Sequence, residues 1–191
     1  MIEIISTYML NFLTKKCHIL PDERDIYFYG INIMIYTIFS TFGLVFLGIL
    51  RGQLIESTLI IAIYYINQTL GGGFHASSHL GCFLTMSIGL LQLLLLLRYF
   101  NYLQVYIIIG FLSLSILFLC PLILHKNKEY LQPHFHSLST RSVSALIIQL
   151  LFYIIIIYTQ NIMLIGSISA GFMACAISRS IAFIQFKIQD D

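Results

Sequence analysis

The chain has 191 residues, 59% of them hydrophobic and only 9% charged, with a formal net charge of +2 and a mean hydropathy of +0.91. Soluble domains carry about 25% charged residues, and a soluble core of this size would leave most of these apolar side chains facing water, so the composition excludes a soluble protein. The small positive charge forms no basic stripe and suggests no nucleic-acid partner, while Cys17, Cys82, Cys120 and Cys175 are too scattered for a disulfide framework or a CxxC motif.

Residues 2–20 place Ile4, Ile5, Tyr8, Met9, Phe12 and Leu13 near one helical face, with Asn11, Lys15 and Lys16 more polar. This pattern predicts an amphipathic helix too weakly apolar to span, lying on the membrane surface or packed on the rest of the domain. Glu3 stands where a signal peptide has its basic region, so none is expected. Pro21-Asp22-Glu23-Arg24-Asp25 reads as a turn and a helix start, with acidic residues suited to a first turn.

Ile31–Leu50 is a twenty-residue run without charge, enough to cross a bilayer core of ~30 Å. Arg51-Gly52-Gln53 is a short turn. Ser57–Leu70 follows as a second apolar segment, only about 21 Å long at ~1.5 Å per residue, which puts its end inside or at the edge of the bilayer. Phe83–Leu97 is the third span, closed by an aromatic interfacial turn at Arg98-Tyr99-Phe100-Asn101-Tyr102. Leu103–Leu124 is the fourth, with Pro121 expected to kink its end. Residues 125–142 form the longest polar connection, and Val143–Tyr158 and Ile162–Ile184 are the fifth and sixth spans. The expected fold is an all-α polytopic membrane protein in one domain, 1–191, with about six transmembrane helices after the amphipathic one.

The last span carries Gly166, Ala170, Ala174 and Ser178 at a stride of four, a spacing that lets two membrane helices approach closely. The partner is expected within the same chain, with a second copy of the chain as the alternative. Charge sets the orientation. With a cytoplasmic amino terminus and six spans, Lys15, Lys16, Arg24, Lys126, Lys128, Arg141, Arg179 and Lys187 fall on one side, and only Arg51 and Arg98 on the other. That split follows the positive-inside rule. It predicts a multi-pass cell-membrane protein with the 71–82 stretch and the 125–142 loop on the reducing, cytoplasmic side.

The stretch from Gly71 to Cys82 is the part built for chemistry. Three consecutive glycines, Gly71-Gly72-Gly73, make a continuing helix costly at about 1 kcal/mol each relative to alanine. A broken backbone at membrane depth is tolerated only where protein or a water-filled cavity covers it. His75 and Cys82 follow, seven residues apart. A cysteine thiolate is a strong nucleophile and an imidazole can take its proton. On one unbroken helix the two would sit ~10 Å apart, so proton transfer requires the segment to fold back. No acidic residue lies between Glu56 and Glu129, which favours a dyad oriented by a backbone carbonyl, Ser77, Asn67 or Gln68. The backbone N–H groups of Gly81 and Cys82 are candidate oxyanion donors. Two other readings compete. On a continuous helix His75, His79 and Cys82 would present three metal ligands on one face, completed by His134 or His136, as in a zinc site or a metal transporter. In the plainest case the histidines, His125 included, sit among headgroups and Cys82 is a small buried residue.

The segment Gly72-Gly73-Phe74-His75-Ala76, with Cys82 seven residues after the histidine, resembles the active-site segment of the AgrB family of membrane peptidases, which mature quorum-sensing peptides in Gram-positive bacteria. Chain size, amphipathic start, six apolar segments and the basic loop after the fourth fit the same family. The resemblance implies His75 and Cys82 as the catalytic pair, no cofactor, and a short amphipathic propeptide as substrate. It further implies cleavage through an acyl-enzyme thioester, followed by ring closure. An acidic propeptide tail is expected to meet Lys126, Lys128 and Arg141. His79 is no part of the family pair. Where family members commonly carry an arginine before the glycines, this chain has Asn67, Gln68 and Thr69.

Overall fold

A computed structural model describes residues 2–17, 23–74, 76, 78–100, 102–122 and 135–190. These form seven helices and no strand: α1 (Ile2–Cys17), α2 (Arg24–Leu50), α3 (Leu54–Gly71), α4 (His79–Tyr99), α5 (Leu103–Leu119), α6 (Phe135–Tyr158) and α7 (Ile162–Asp190). α2, α4, α6 and α7 are long and apolar enough to cross a membrane, and α5 is a shorter apolar helix. The chain is an all-α polytopic membrane protein. Pro21 and Asp22 of the expected turn lie outside the described residues. Two compact units are formed, Met1–Phe46 and Leu47–Asp191.

In the first unit α1 packs Leu10 against Ile31 and Ile35 of α2, with Met9, Leu13 and Phe28 around them. Ser6 donates to Asn32, and Arg24 to Asn11 at 2.8 Å. The apolar face expected for α1 is thus divided. Met9 and Leu13 turn to α2, while Ile4, Tyr8 and Phe12 stay exposed.

In the second unit α7 is the axis. Of its apolar stretch 67% is buried, against 17–22% for the other three long helices. The small residues explain this. A methyl group on Gly166 would press on Leu97 and Tyr106, and one on Gly171 on Ile63, so α7 approaches its neighbours as closely as its backbone permits. The stride-of-four stripe is satisfied within the chain. Tyr153 of α6 is fully buried beside it. Its hydroxyl bonds Ser169 at 2.7 Å and the Tyr106 carbonyl at 3.2 Å, and its ring stands edge-on to Phe111 and Phe172.

Hydroxyls on lipid-facing positions are dealt with locally. Thr58, Thr85 and Ser115 each donate to the carbonyl four residues back, at 2.7–2.9 Å, so none of these three hydroxyl hydrogens is left unpaired in an environment without water. The α2–α3 turn ends α2 with the two crossed bonds Gly52 N–H to Ile49 and Gln53 N–H to Gly48, both 2.9 Å. Gly52 sits at φ 67°, where a side chain would be strained.

Two boundary differences bear on the glycine break and the connection after α5. α5 stops at Leu119 rather than 124, because Pro121 has no N–H to offer the Leu117 carbonyl. α6 begins at Phe135, so the second half of the expected 125–142 connection is helical.

Candidate active site

α3 ends where the glycines begin, and the break is built by its neighbours. Gly72 caps the helix at φ 71°, its N–H bonding the Gln68 carbonyl at 3.1 Å. Beyond it the chain is held by α7. The Phe74 N–H points at Ser178 and reaches both its carbonyl (3.1 Å) and its hydroxyl (3.0 Å). The Gln68 amide donates to the Phe74 carbonyl at 3.2 Å, and the Tyr64 hydroxyl lies 3.3 Å from Ser178 Oγ. Phe74, the residue before His75, therefore has both backbone polar groups fixed. A side chain on Gly73 would collide with Gln68 and Ser178, so only glycine lets the strand lie this close.

The helix restarts at His79. Ser78 is its N-cap, with extended backbone (φ −130°, ψ 149°), its hydroxyl accepting the Gly81 N–H at 3.1 Å and its carbonyl the Cys82 N–H at 3.0 Å. Cys82 is a free, half-buried thiol at the end of this first turn. His79 is exposed on the same turn. His75 and Ser77 lie outside the described residues, as do His125, Lys126, Lys128 and His134. Arg141 is exposed on α6. Its neighbour Ser142 donates to the Pro121 carbonyl, which puts Arg141 at the same end of the bundle as the glycine break.

Two expectations are corrected. The N–H groups of Gly81 and Cys82 are both taken by Ser78, so as they stand neither is open to receive an oxyanion. Asn67, a candidate orienter of His75, is buried, and its amide nitrogen donates to Gln149 at 2.8 Å and to the Ile63 carbonyl. The continuous helix needed to align His75, His79 and Cys82 as metal ligands does not exist, since Ala76 and Ser78 are not helical. Among the described residues no three metal-binding side chains gather.

The residue whose burial sequence reasoning passed over is Arg179. Counted only among the charges of the cytoplasmic side, it is 1% exposed. Its Nη1 donates to the carbonyls of Cys120 (2.9 Å), Pro121 (3.2 Å) and Leu117 (3.4 Å), and its Nη2 to Asn67 (3.2 Å). Among the described residues no carboxylate bonds it. The negative ends of α5 and α3 provide the counter-charge, as helix C-termini do. The Leu117 carbonyl is the one that Pro121 leaves without a helical partner. Gly71 makes the room, because any Cβ there would overlap the guanidinium. The signal was present. Arg179 falls inside the apolar run Ile162–Ile184, and an ionisable residue within a span points inward to a site.

Ser178 and Arg179 thus hold the two sides of the break from one turn of α7, and Cys82 stands half-buried just beyond it. No curated protein and no solved structure matches the chain significantly. The family model for accessory gene regulator B matches residues 6–179, nearly the whole length and including the glycine break, Cys82 and both anchoring residues. The chain belongs to the accessory gene regulator B family.

Proposed function

We propose that this protein is a membrane-embedded cysteine endopeptidase, one domain over residues 1–191, that cleaves a short amphipathic propeptide and promotes closure of a (thio)lactone ring. The observation that carries the reading is the interrupted helix. A glycine break fixed by Ser178 and Gln68 separates α3 from α4, with His75 in the interruption and Cys82 on the first turn after it. In this scheme His75 takes the Cys82 thiol proton and the thiolate attacks a substrate carbonyl. The C–N bond breaks, His75 passes the proton to the leaving amine, and a thioester to Cys82 remains. A cysteine within the substrate then attacks the thioester carbon, closing the ring and returning the thiol of Cys82. Exclusion of water favours this outcome over hydrolysis. Lys126, Lys128 and Arg141 receive the acidic tail, on the cytoplasmic side.

The test uses the reconstituted full chain and a short amphipathic peptide encoded beside its gene, with the ring-forming cysteine replaced by alanine. Unable to cyclise, this substrate should leave an adduct on the enzyme, visible as intact mass. The adduct should map to Cys82, vanish with hydroxylamine and be absent in Cys82→Ala. His75→Ala should abolish cleavage while His79→Ala keeps most of it. Tail release with no adduct would remove the cyclisation mechanism, and an adduct on Cys17, Cys120 or Cys175 would identify another nucleophile. Equal loss in the His75, His79 and Cys82 variants, with stoichiometric zinc in the purified protein, would replace the peptidase by a metal protein.

A further inference from the structure

The end of the second unit opposite the glycine break carries a groove of about 490 Å³, lined by Arg51, Gln53, Glu56 and Arg98 over an apolar floor of Leu97 and Met163. That volume is within the range of small-molecule sites. Two buried polar atoms of the lining residues have no partner within the chain, Arg51 Nε and Gln53 Oε1. Gln53 is 6% exposed, and its orientation is fixed because Nε2 donates to the Leu94 carbonyl at 3.1 Å. The amide oxygen, a pure acceptor, is therefore the atom left unpaired, just beneath the groove surface. A buried donor or acceptor left unpaired costs about 1–3 kcal/mol, and here one of each sits on the same groove. The complementary molecule must bring an anionic acceptor to the arginines and a donor to Gln53.

The depth of the groove selects the class. Tyr99, Phe100, Tyr102 and Tyr158 all lie at this end of α4, α5 and α6 and are largely exposed. Exposed aromatic residues at helix ends mark the headgroup level of the bilayer, which is where lipid phosphates lie. Two arginines and one glutamate leave one net positive charge, enough for one phosphodiester. Glu56 disfavours a second anion but, like Gln53, accepts from hydroxyls. We propose that this groove holds the head group of an anionic phospholipid bearing both a phosphodiester and free hydroxyls, such as phosphatidylglycerol. Arg51 and Arg98 bind the phosphate, and Gln53 and Glu56 the hydroxyls. The proposal is independent of the peptidase reading.

The test is native mass spectrometry of the full chain equilibrated in micelles with equal amounts of phosphatidylglycerol, phosphatidylethanolamine and phosphatidylcholine of matched acyl chains. One phosphatidylglycerol should remain bound in preference to both zwitterionic lipids. Arg51→Gln with Arg98→Gln should cut the retained fraction about tenfold or more, as expected for loss of charged hydrogen bonds. Gln53→Leu keeps both charges. It should leave phosphatidic acid bound while lowering phosphatidylglycerol several-fold, so a folding defect in the arginine variant does not decide the matter. Equal retention of all three lipids by the unaltered protein would overturn the proposal. So would displacement by soluble glycerophosphoglycerol at concentrations matching the lipid, or a retained mass belonging to a peptide.

Discussion

Gly71→Ala sets two known effects against each other, and the structure decides the sign. Gly71 closes α3 in helical backbone, where alanine is normally better than glycine by up to about 1 kcal/mol. Here the new methyl would overlap Arg179 Nη2 and stand 2.6 Å from Cζ and 2.7 Å from the Pro121 carbonyl oxygen. The carbonyl is backbone at the end of α5 and cannot yield easily, so the guanidinium must leave. Overpacking of this kind costs about 1–3 kcal/mol, and losing the Asn67 hydrogen bond to a charged donor about 1.5–3 kcal/mol more. Against a gain of about 1 kcal/mol, net destabilisation of about 1.5–5 kcal/mol is expected. The measurement is equilibrium unfolding of the purified protein in micelles, for Gly71→Ala, Arg179→Met and the double variant. Once the guanidinium is gone the alanine has room, so the double variant should be more stable than the sum of the single losses, by about 1–3 kcal/mol. A Gly71→Ala protein more stable than the parent, or strict additivity in the cycle, would refute the clamp.

The other expectations follow from charge and burial. Tyr153→Phe removes the hydroxyl that bridges Ser169 and the Tyr106 carbonyl and should cost about 1–3 kcal/mol in the same unfolding assay; an unchanged midpoint would show that the bridge contributes nothing. The charge split predicts that a cysteine placed at Asn127 resists impermeant thiol reagents in intact cells while one at Gln160 is labelled; the opposite pattern would invert the orientation. Neutralising Lys126, Lys128 and Arg141 together should raise the apparent KM for an acidic-tailed propeptide and flatten its salt dependence, since exposed pairs contribute about 1 kcal/mol or less each; unchanged salt dependence in inserted protein would leave these residues only a topological role.

What the sequence made legible was what depends on local pattern. Three glycines ended α3 at the expected place, and the small residues of α7 identified a helix that packs closely. Pro121 marked the end of α5, although the effect on the Leu117 carbonyl moved that end back to Leu119. Long-range partners were not legible. Gln68 and Asn67 are adjacent amides, yet one turns to Phe74 and the other to Gln149, a choice made by the packing of α6 and α7. The burial of Arg179 was passed over because a charge count treats every cation as solvated. Only the meeting of two helix C-termini shows how this one is buried without a carboxylate. The N–H groups of Gly81 and Cys82 were misjudged because nothing in the reading of the sequence identified Ser78 as the cap that takes them.

The central place of α7 has a consequence for biogenesis. A ribosome delivers about 5–20 residues per second, amino-terminal segments first, so α3 and α5 enter the bilayer well before the helix that anchors both of them. Until Ser178 and Arg179 emerge, the Phe74 N–H, the Asn67 carbonyl and the frayed end of α5 lack their partners. The nascent protein therefore carries its cysteine segment into the membrane unassembled, and the turn of α7 that carries Ser178 and Arg179 completes it. A chain stalled before residue 178 would insert with its earlier helices in place but without the residues that hold the glycine break, which delays assembly of that break until α7 is made.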